Sequence, residues 1–183
     1  MAQVVVIADD ERRVEVLLEP MEVGLLGSIC AQIADFVTPD ADVDPLVALV
    51  GLDPQAVPPE DPALKRLLPD AYTEDDEAAA RFRRFTERDL RERKRLAAVM
   101  VGQALAPLGA AGGMVTFTGA QVDQWLGFLN DARLTIGARL DIREDNHREL
   151  ADLPDDDPRG GMYAVYDWLT YVQDATVTGL LEP

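Results

Sequence analysis

The stretch from Glu74 to about Leu105 constrains the fold most, because it predicts one long amphipathic helix. The acidic residues Glu74–Glu77 fall in the first turn, where negative charge suits the positive end of the helix dipole. Pro107 and the glycine-rich run Gly109–Gly113 are expected to end the helix. Apolar residues at helical spacing predict a buried stripe made of Ala78, Phe82, Phe85, Leu96 and Met100.

A β-hairpin is predicted over residues 2–18. Val4–Ile7 is a β-branched run, and Asp9–Arg12 has the composition of a turn. Apolar residues then recur at every second position within Val14–Leu18. Because a two-stranded hairpin is marginal by itself, we expect it to pack on other elements, with Val115–Phe117 as a candidate third strand.

Three more helices are predicted, over about residues 20–37, 119–140 and 162–181. Pro20 suits a first helical position, and Thr118 followed by Gln121 resembles a capping box. The predicted inward residues are Met21, Leu25, Ile29, Ile33 and Phe36 in the first of these helices, Val122, Trp125, Leu126, Leu129, Ile136 and Leu140 in the second, and Val165, Trp168, Leu169 and Val172 in the third.

The connections between these helices are long. Residues 38–70 hold seven of the twelve prolines and predict a surface connector, with short helices at Pro45–Val50 and Pro62–Leu68. Residues 141–161 predict an acidic loop. Together the patterns predict a single domain over residues 1–183 that is mainly α (α+β). Its four main helices pack with a small N-terminal β-hairpin and a possible third short strand.

Charge is distributed unevenly along the chain. The formal net charge is -17, yet residues 81–95 hold eight of the seventeen Lys and Arg residues and three acids. That segment therefore carries +5 and the remainder -22. Such an acidic chain disfavours direct nucleic-acid binding. The single cysteine and the absence of a signal-peptide pattern or a long apolar run favour a cytoplasmic protein with no membrane contact.

Five arginines of the long helix share one narrow arc, since they recur at spacings of three and four. This ribbon is a candidate docking face for an acidic protein partner, because arginine pairs well with carboxylates. The alternative is a solvated helix face balanced by the protein's own acids. The ribbon consists of Arg81, Arg84, Arg88, Arg91 and Arg95.

Three charged residues fall on the predicted apolar stripes. Asp89 and Arg93 lie between Phe85 and Leu96, and Arg133 lies in the middle of the following helix. Because charges are rarely buried unless they are paired, we expect Asp89, Arg93 and Arg133 to form a structural ion network between the two helices. The functional alternative is a polar pocket.

The remaining polar features predict neither catalysis nor a metal or cofactor site. Cys30 on a helix is expected to be a small buried apolar residue, and His147 a solvated loop residue. Asp155–Asp157 lacks the ligand spacing of a calcium loop. The run Gly109–Gly113 lacks the Lys-Ser/Thr of a phosphate-binding loop. We therefore expect a protein that is not an enzyme.

Four stretches, taken in order, resemble an actinobacterial domain-of-unknown-function family (number 2017) that is also named after an oxidative-stress transcriptional regulator. The similarity covers nearly the whole chain. The stretches that carry it are Leu67–Tyr72, Phe82–Arg91, Trp125–Leu134 and Tyr163–Leu169.

The resemblance implies a regulator of oxidative-stress transcription that contacts the transcription machinery, with RNA polymerase or a sigma factor as the expected partner. An internal disulfide switch is not available to a chain with one cysteine, Cys30. An adaptor or homodimeric assembly module outside transcription is the alternative. A third hypothesis is an enzyme with a pocket around Asp89 and Arg133, although that pocket would lack a nucleophile and a base.

Overall fold

A computed structural model describes residues 2–7, 12–38, 57–154 and 156–181. In chain order, the elements are β1 (Gln3–Ile7), β2 (Arg13–Leu18), α1 (Pro20–Phe36), α2 (Pro62–Leu67), α3 (Asp76–Leu105), β3 (Gly113–Thr118), α4 (Ala120–Arg139), α5 (His147–Ala151) and α6 (Pro158–Leu181). A short 3-10 segment, Ala106–Ala111, connects α3 to β3. The fold is mainly α with a small sheet, as the sequence predicts.

The three strands form an antiparallel sheet in the order β1-β2-β3. Val16 in the central strand pairs with Val4 on one side and Val115 on the other. Val14, Val16 and Leu18 point into the core, which confirms the predicted hairpin and its inner face. The third strand is also confirmed, and it is longer than the predicted Val115–Phe117.

The helices enclose one continuous core beneath this sheet. Helix α1 packs against α3, α3 against α4, and α4 against α6, while α2 covers part of α4 and α6 also contacts β1. Three aromatic residues join β3 to α4, because the Phe117 ring stacks 4.8 Å from Trp125 and the Trp125 ring lies 6.1 Å from Phe128. The indole N–H of Trp125 donates to Thr176 Oγ1 at 3.4 Å, so its polar end is satisfied by α6.

Glu22 connects the beginning of α1 to two other parts of the fold. Its carboxylate accepts hydrogen bonds from the backbone N–H of Glu19 at 2.9 Å and of Ala2 at 2.7 Å. It also accepts from Trp168 Nε1 on α6 at 3.1 Å. One acidic side chain in the first turn of α1 therefore joins the N-terminal strand and the last helix.

The predicted buried stripe of α3 is wrong at Phe82, Phe85 and Leu96, whereas Met100 is partly buried and packs against the core. Phe82, Phe85 and Leu96 are 45%, 61% and 43% exposed. Small residues on the inward side of α3 let α1 pack closely against it. A Cβ on Gly102 of α3 would lie only 3.6 Å from the Cβ of Cys30 on α1. Large apolar residues at helical spacing therefore marked a surface side of this helix. The residues that face inward are Ala79, Arg83, Ala97, Ala98, Val101 and Leu105.

Several predicted details of the other helices also change. Met21, predicted to be buried, is 80% exposed, and the inward residues of α1 are Val23, Leu26, Cys30 and Ile33. The predicted loop over 141–161 contains α5, and α6 begins early because Pro158 fits a first helical position. Gly119 is the residue before α4, while Thr118 N–H donates to Gln121 Oε1 at 3.2 Å.

The proline-rich connector is described only in its second half. The predicted helix at Pro62–Leu68 is confirmed as α2, which is capped by Asp61 through hydrogen bonds from the N–H groups of Ala63 and Leu64. The predicted helix at Pro45–Val50 lies outside the described residues. None of the helices that the structure describes is long and apolar enough to cross a lipid bilayer.

Two glycine substitutions test this backbone in opposite directions. Nothing lies within 4 Å of a Cβ on Gly24, inside α1, so Gly24→Ala should stabilise by about 0.5–1 kcal/mol. Gly112 has a φ of +69°, and a Cβ there would meet the Leu18 carbonyl oxygen at 2.6 Å. Gly112→Ala should therefore destabilise by about 2 kcal/mol or more. Urea unfolding measures the free energy of unfolding of both variants. A change of the same sign in the two variants would contradict the described β2–α1 junction.

Candidate functional site

Arg83, in the first half of α3, is a charged residue that is only 6% exposed. Its Nη2 donates to Asp70 Oδ1 at 2.6 Å and to the Leu68 carbonyl oxygen at 3.2 Å, and its Nη1 donates to Glu87 Oε2 at 2.5 Å. Burial lowers the pKa of Arg83, but the hydrogen bonds to both carboxylates outweigh burial, and the pKa lies above its ordinary value. These contacts hold the segment after α2 against α3.

Glu87 is shared between two arginines. Its second oxygen accepts from Arg91 Nε at 2.8 Å, and Arg91 Nη1 donates to the Val37 carbonyl oxygen at 3.2 Å, just after α1. The three side chains follow one another at spacings of four along α3, so they occupy the same side of the helix. They form a partly buried Arg83–Glu87–Arg91 bridge that faces the protein.

A second ion pair lies between α3 and α4. Lys94 Nζ lies 2.5 Å from Asp131 Oδ1, and Asp131 is buried. Burial raises the pKa of the Asp131 carboxyl group, and the hydrogen bond from Lys94 opposes that rise. This pair is an ionic contact between the two helices, and neither of its residues belongs to the predicted network of Asp89, Arg93 and Arg133.

The opposite side of α3 carries exposed arginines and phenylalanines together. Phe85 is flanked by Arg81 four residues before it and Arg88 three residues after it, and these positions are neighbours on a helix surface. Phe82 lies at the edge of this area, with its ring 6.1 Å from Tyr72 in an edge-on contact. We call this surface the arginine–phenylalanine face, and its residues are Arg81, Phe82, Arg84, Phe85 and Arg88, with the exposed Asp89 beside Phe85.

The five arginines of the predicted ribbon do not share one environment in the structure. Arg81, Arg84 and Arg88 are exposed. Arg91 turns inward to Glu87, and Arg95 takes part in an exposed ion pair, with its Nε 2.8 Å from Glu92 Oε2 on the same helix. In the described part of the chain, neither Arg81 nor Arg84 forms an ion pair. The first three arginines are therefore the part of the ribbon that a partner can reach, and its role as a docking face stays a prediction.

The predicted network of Asp89, Arg93 and Arg133 is wrong. Asp89 and Arg93 are exposed, because the helix is rotated so that the side with Phe82 and Phe85 faces solvent. Arg133 is half-buried on α4, but it turns toward α6. The structure therefore does not bring these three residues together.

Cys30 and His147 have different surroundings. Cys30 is buried, and burial raises the pKa of its thiol to about 12, so the thiol stays protonated at neutral pH. His147 is exposed on α5 rather than in a loop, and its Nδ1 lies 3.3 Å from the Tyr163 hydroxyl. Across the described ranges, no three His, Cys, Asp or Glu residues are close enough to hold a metal ion.

Sequence reasoning missed the Arg83–Glu87–Arg91 bridge although the sequence carries its signal. A glutamate four residues from an arginine on each side is the spacing of helix ion pairs. The predicted buried stripe through Phe82 and Phe85 placed the inward side of α3 elsewhere. The Lys94–Asp131 pair had no comparable signal, since its two residues belong to different helices.

The fold places this chain among mainly helical domains that carry a small antiparallel sheet. The chain belongs to the family described as Domain of unknown function (DUF2017), whose model matches residues 5–180. No solved structure matches the chain.

Curated relatives from mycobacteria share a common name. A Mycobacterium leprae protein that carries the AosR regulator name is 31% identical over 182 residues, which cover 90% of this chain and 81% of that protein. Proteins named oxidative stress regulator AosR in Mycobacterium bovis and Mycobacterium tuberculosis are each 32% identical over 136 residues. Those alignments cover 67% of this chain and 60% of each relative.

We expect the bridge at Glu87 to contribute to stability. Glu87→Gln should destabilise by about 2 kcal/mol, because it leaves two partly buried arginines short of one carboxylate. The matched control is Glu92→Gln, which removes an exposed ion pair with Arg95 on the same helix and should change stability by about 0.5 kcal/mol or less. Urea unfolding compares the two variants. An equal loss of unfolding free energy in the two variants would show that the Arg83–Glu87–Arg91 bridge stabilises the fold no more than an exposed ion pair does.

Proposed function

We propose that this chain is a non-enzymatic regulatory protein of the oxidative-stress response, acting by direct contact with the transcription machinery. RNA polymerase or a sigma factor is the proposed partner. The observation that carries the proposal is the arginine–phenylalanine face, which exposes three arginines and two phenylalanines on one helix. The names of the mycobacterial relatives support the regulatory part of the proposal.

The chemistry of this face favours a protein partner over nucleic acid. Arginine and aromatic residues are enriched at the energetic centres of protein interfaces, where an apolar anchor is surrounded by polar contacts. A nucleic acid would have to approach a chain of net charge -17. The partner surface that fits is an apolar patch flanked by carboxylates, because Phe85 lies between Arg81 and Arg88.

The proposed mechanism does not use Cys30 as an oxidation sensor. Its thiol is buried and burial raises its pKa to about 12, whereas reactive cysteines are exposed and have a low pKa. Regulation is therefore proposed to depend on binding, with the response to oxidants lying in the partner or in a bound molecule.

A second candidate function is an adaptor or homo-oligomeric module unrelated to transcription. The outer face of the sheet favours it, because Leu17 and Met114 are paired across strands and exposed, with Val5 on the same sheet also exposed. Sedimentation over a range of protein concentrations tests self-association. A mass that rises to that of a dimer, and that Leu17→Lys returns to the monomer, would favour this candidate.

The binding proposal predicts the effect of charge reversal on the arginine–phenylalanine face. Affinity for purified actinobacterial RNA polymerase holoenzyme should fall by about 100-fold in Arg84→Glu/Arg88→Glu and by about tenfold in Phe85→Ala. Biolayer interferometry measures both, and thermal unfolding checks that each variant folds.

Matched substitutions elsewhere separate this face from general effects of charge and apolar area. Arg148→Glu/Arg159→Glu reverses two exposed arginines on α5 and α6, and Tyr171→Ala removes an exposed aromatic residue on α6. Both should bind the holoenzyme as the native chain does. The proposal would be refuted if the controls lost as much affinity for the holoenzyme as the variants of the arginine–phenylalanine face. It would also be refuted if those face variants bound as tightly as the native chain.

A further inference from the structure

A pocket of about 340 Å³ lies away from α3, between α2, the second half of α4, the turn that follows α4, and α6. Arg133 and Asn130 line it from α4, Arg66 from α2 and Tyr166 from α6. Ile142 in the turn after α4 adds an apolar wall. The pocket therefore combines two cationic side chains, an amide and an aromatic ring.

Arg133 is fixed in this pocket by neutral partners. Its Nε donates to Thr170 Oγ1 at 2.9 Å and its Nη1 donates to Gln173 Oε1 at 2.7 Å. Its guanidinium carbon lies 5.4 Å from the centre of the Tyr166 ring, which adds a cation–π contact. These contacts orient the planar guanidinium group, and its Nη2 has no hydrogen-bond partner among the residues that the structure describes.

No carboxylate neutralises Arg133 within the described ranges. This distinguishes it from the partly buried cations of α3, which each have a carboxylate partner: Arg83, Arg91 and Lys94. A positive charge that is half-buried without an ion pair is costly, so an anion in the pocket would improve the electrostatics.

The other charged residues of the pocket leave it positive. Arg66 is exposed at its rim. Asp141 is the one carboxylate among the lining residues, and it already accepts a hydrogen bond from Arg143 Nη2. The chain as a whole is acidic, with a net charge of -17. This pocket differs from it, because it has two arginines and its one carboxylate is already paired with Arg143.

We propose that this pocket binds a small organic molecule through a phosphate group. A phosphate monoester carries close to two negative charges near neutral pH, which matches Arg66 and Arg133 together, and its oxygens suit the fixed guanidinium group. The amide of Asn130 can donate a further hydrogen bond, and the apolar wall at Ile142 can contact the organic part of the molecule. The site does not depend on the proposed contact with RNA polymerase.

The test is a titration of the full chain with phenyl phosphate at constant ionic strength, followed by amide chemical shifts in NMR. Saturable shifts are expected at Asn130, Arg133 and Gly137, which also lines the pocket. Arg66→Gln should weaken binding by about tenfold through loss of one charge-assisted contact, whereas Arg148→Gln, on α5, should leave it unchanged. Arg133→Gln should abolish binding. Arg66 is exposed, so Arg66→Gln is expected to fold. Its affinity for phenyl phosphate therefore tests the proposal even if Arg133→Gln fails to fold.

Three results would overturn the proposal. Shifts that grow linearly without saturating would show that the pocket does not bind the probe. If Arg66→Gln and Arg148→Gln weakened the binding of phenyl phosphate equally, the probe would be attracted by the overall charge of the protein and not by this pocket. Binding of benzoate as tightly as phenyl phosphate would show that the site does not select phosphate over a carboxylate.

Discussion

The carboxylate of Glu87, held between Arg83 and Arg91, fixes which side of α3 faces the protein. Arg83 reaches Asp70 and Arg91 reaches the carbonyl of Val37, so the bridge holds this helix to the segments after α2 and α1. Alanines, Val101 and Leu105 extend the same inward side toward the C-terminal end of α3. Once this side is buried, Phe82 and Phe85 have no place in the core and lie beside exposed arginines. The surface that we propose as a docking face is thus a consequence of a partly buried ionic contact.

Much of the architecture follows from the sequence, because its signals are local. Alternation around Val14–Leu18 identified the hairpin, and Pro20 marked the beginning of α1. The rotation of α3 could not be predicted in the same way, since large apolar residues indicate burial only where the neighbouring elements leave room for them. Here Ala97 and Ala98 are buried, and Phe85 is not. The partners of Arg133 on α6 and of Lys94 on α4 depend on contacts between distant segments, which periodicity cannot reveal.

The two candidate sites use arginine in different environments. On the arginine–phenylalanine face, Arg81 and Arg84 are exposed and surrounded by solvent, which suits a reversible contact with an acidic partner whose strength depends on salt. In the pocket between α2, α4 and α6, Arg133 is half-buried and held by Thr170 and Gln173, which suits recognition of one anionic group. A regulator with both features would have separate places for a protein and for a small molecule. The buried thiol of Cys30 takes part in neither site.

Site-specific photo-crosslinking tests the proposed docking face most directly. Phe85 is replaced by p-benzoylphenylalanine in one sample and Tyr171, an exposed aromatic residue on α6, in another. Each protein is irradiated with purified RNA polymerase holoenzyme. The account predicts a covalent adduct with a polymerase subunit or sigma factor from position 85 and none from position 171. An adduct from position 171 alone, or intact binding without an adduct from position 85, would contradict it.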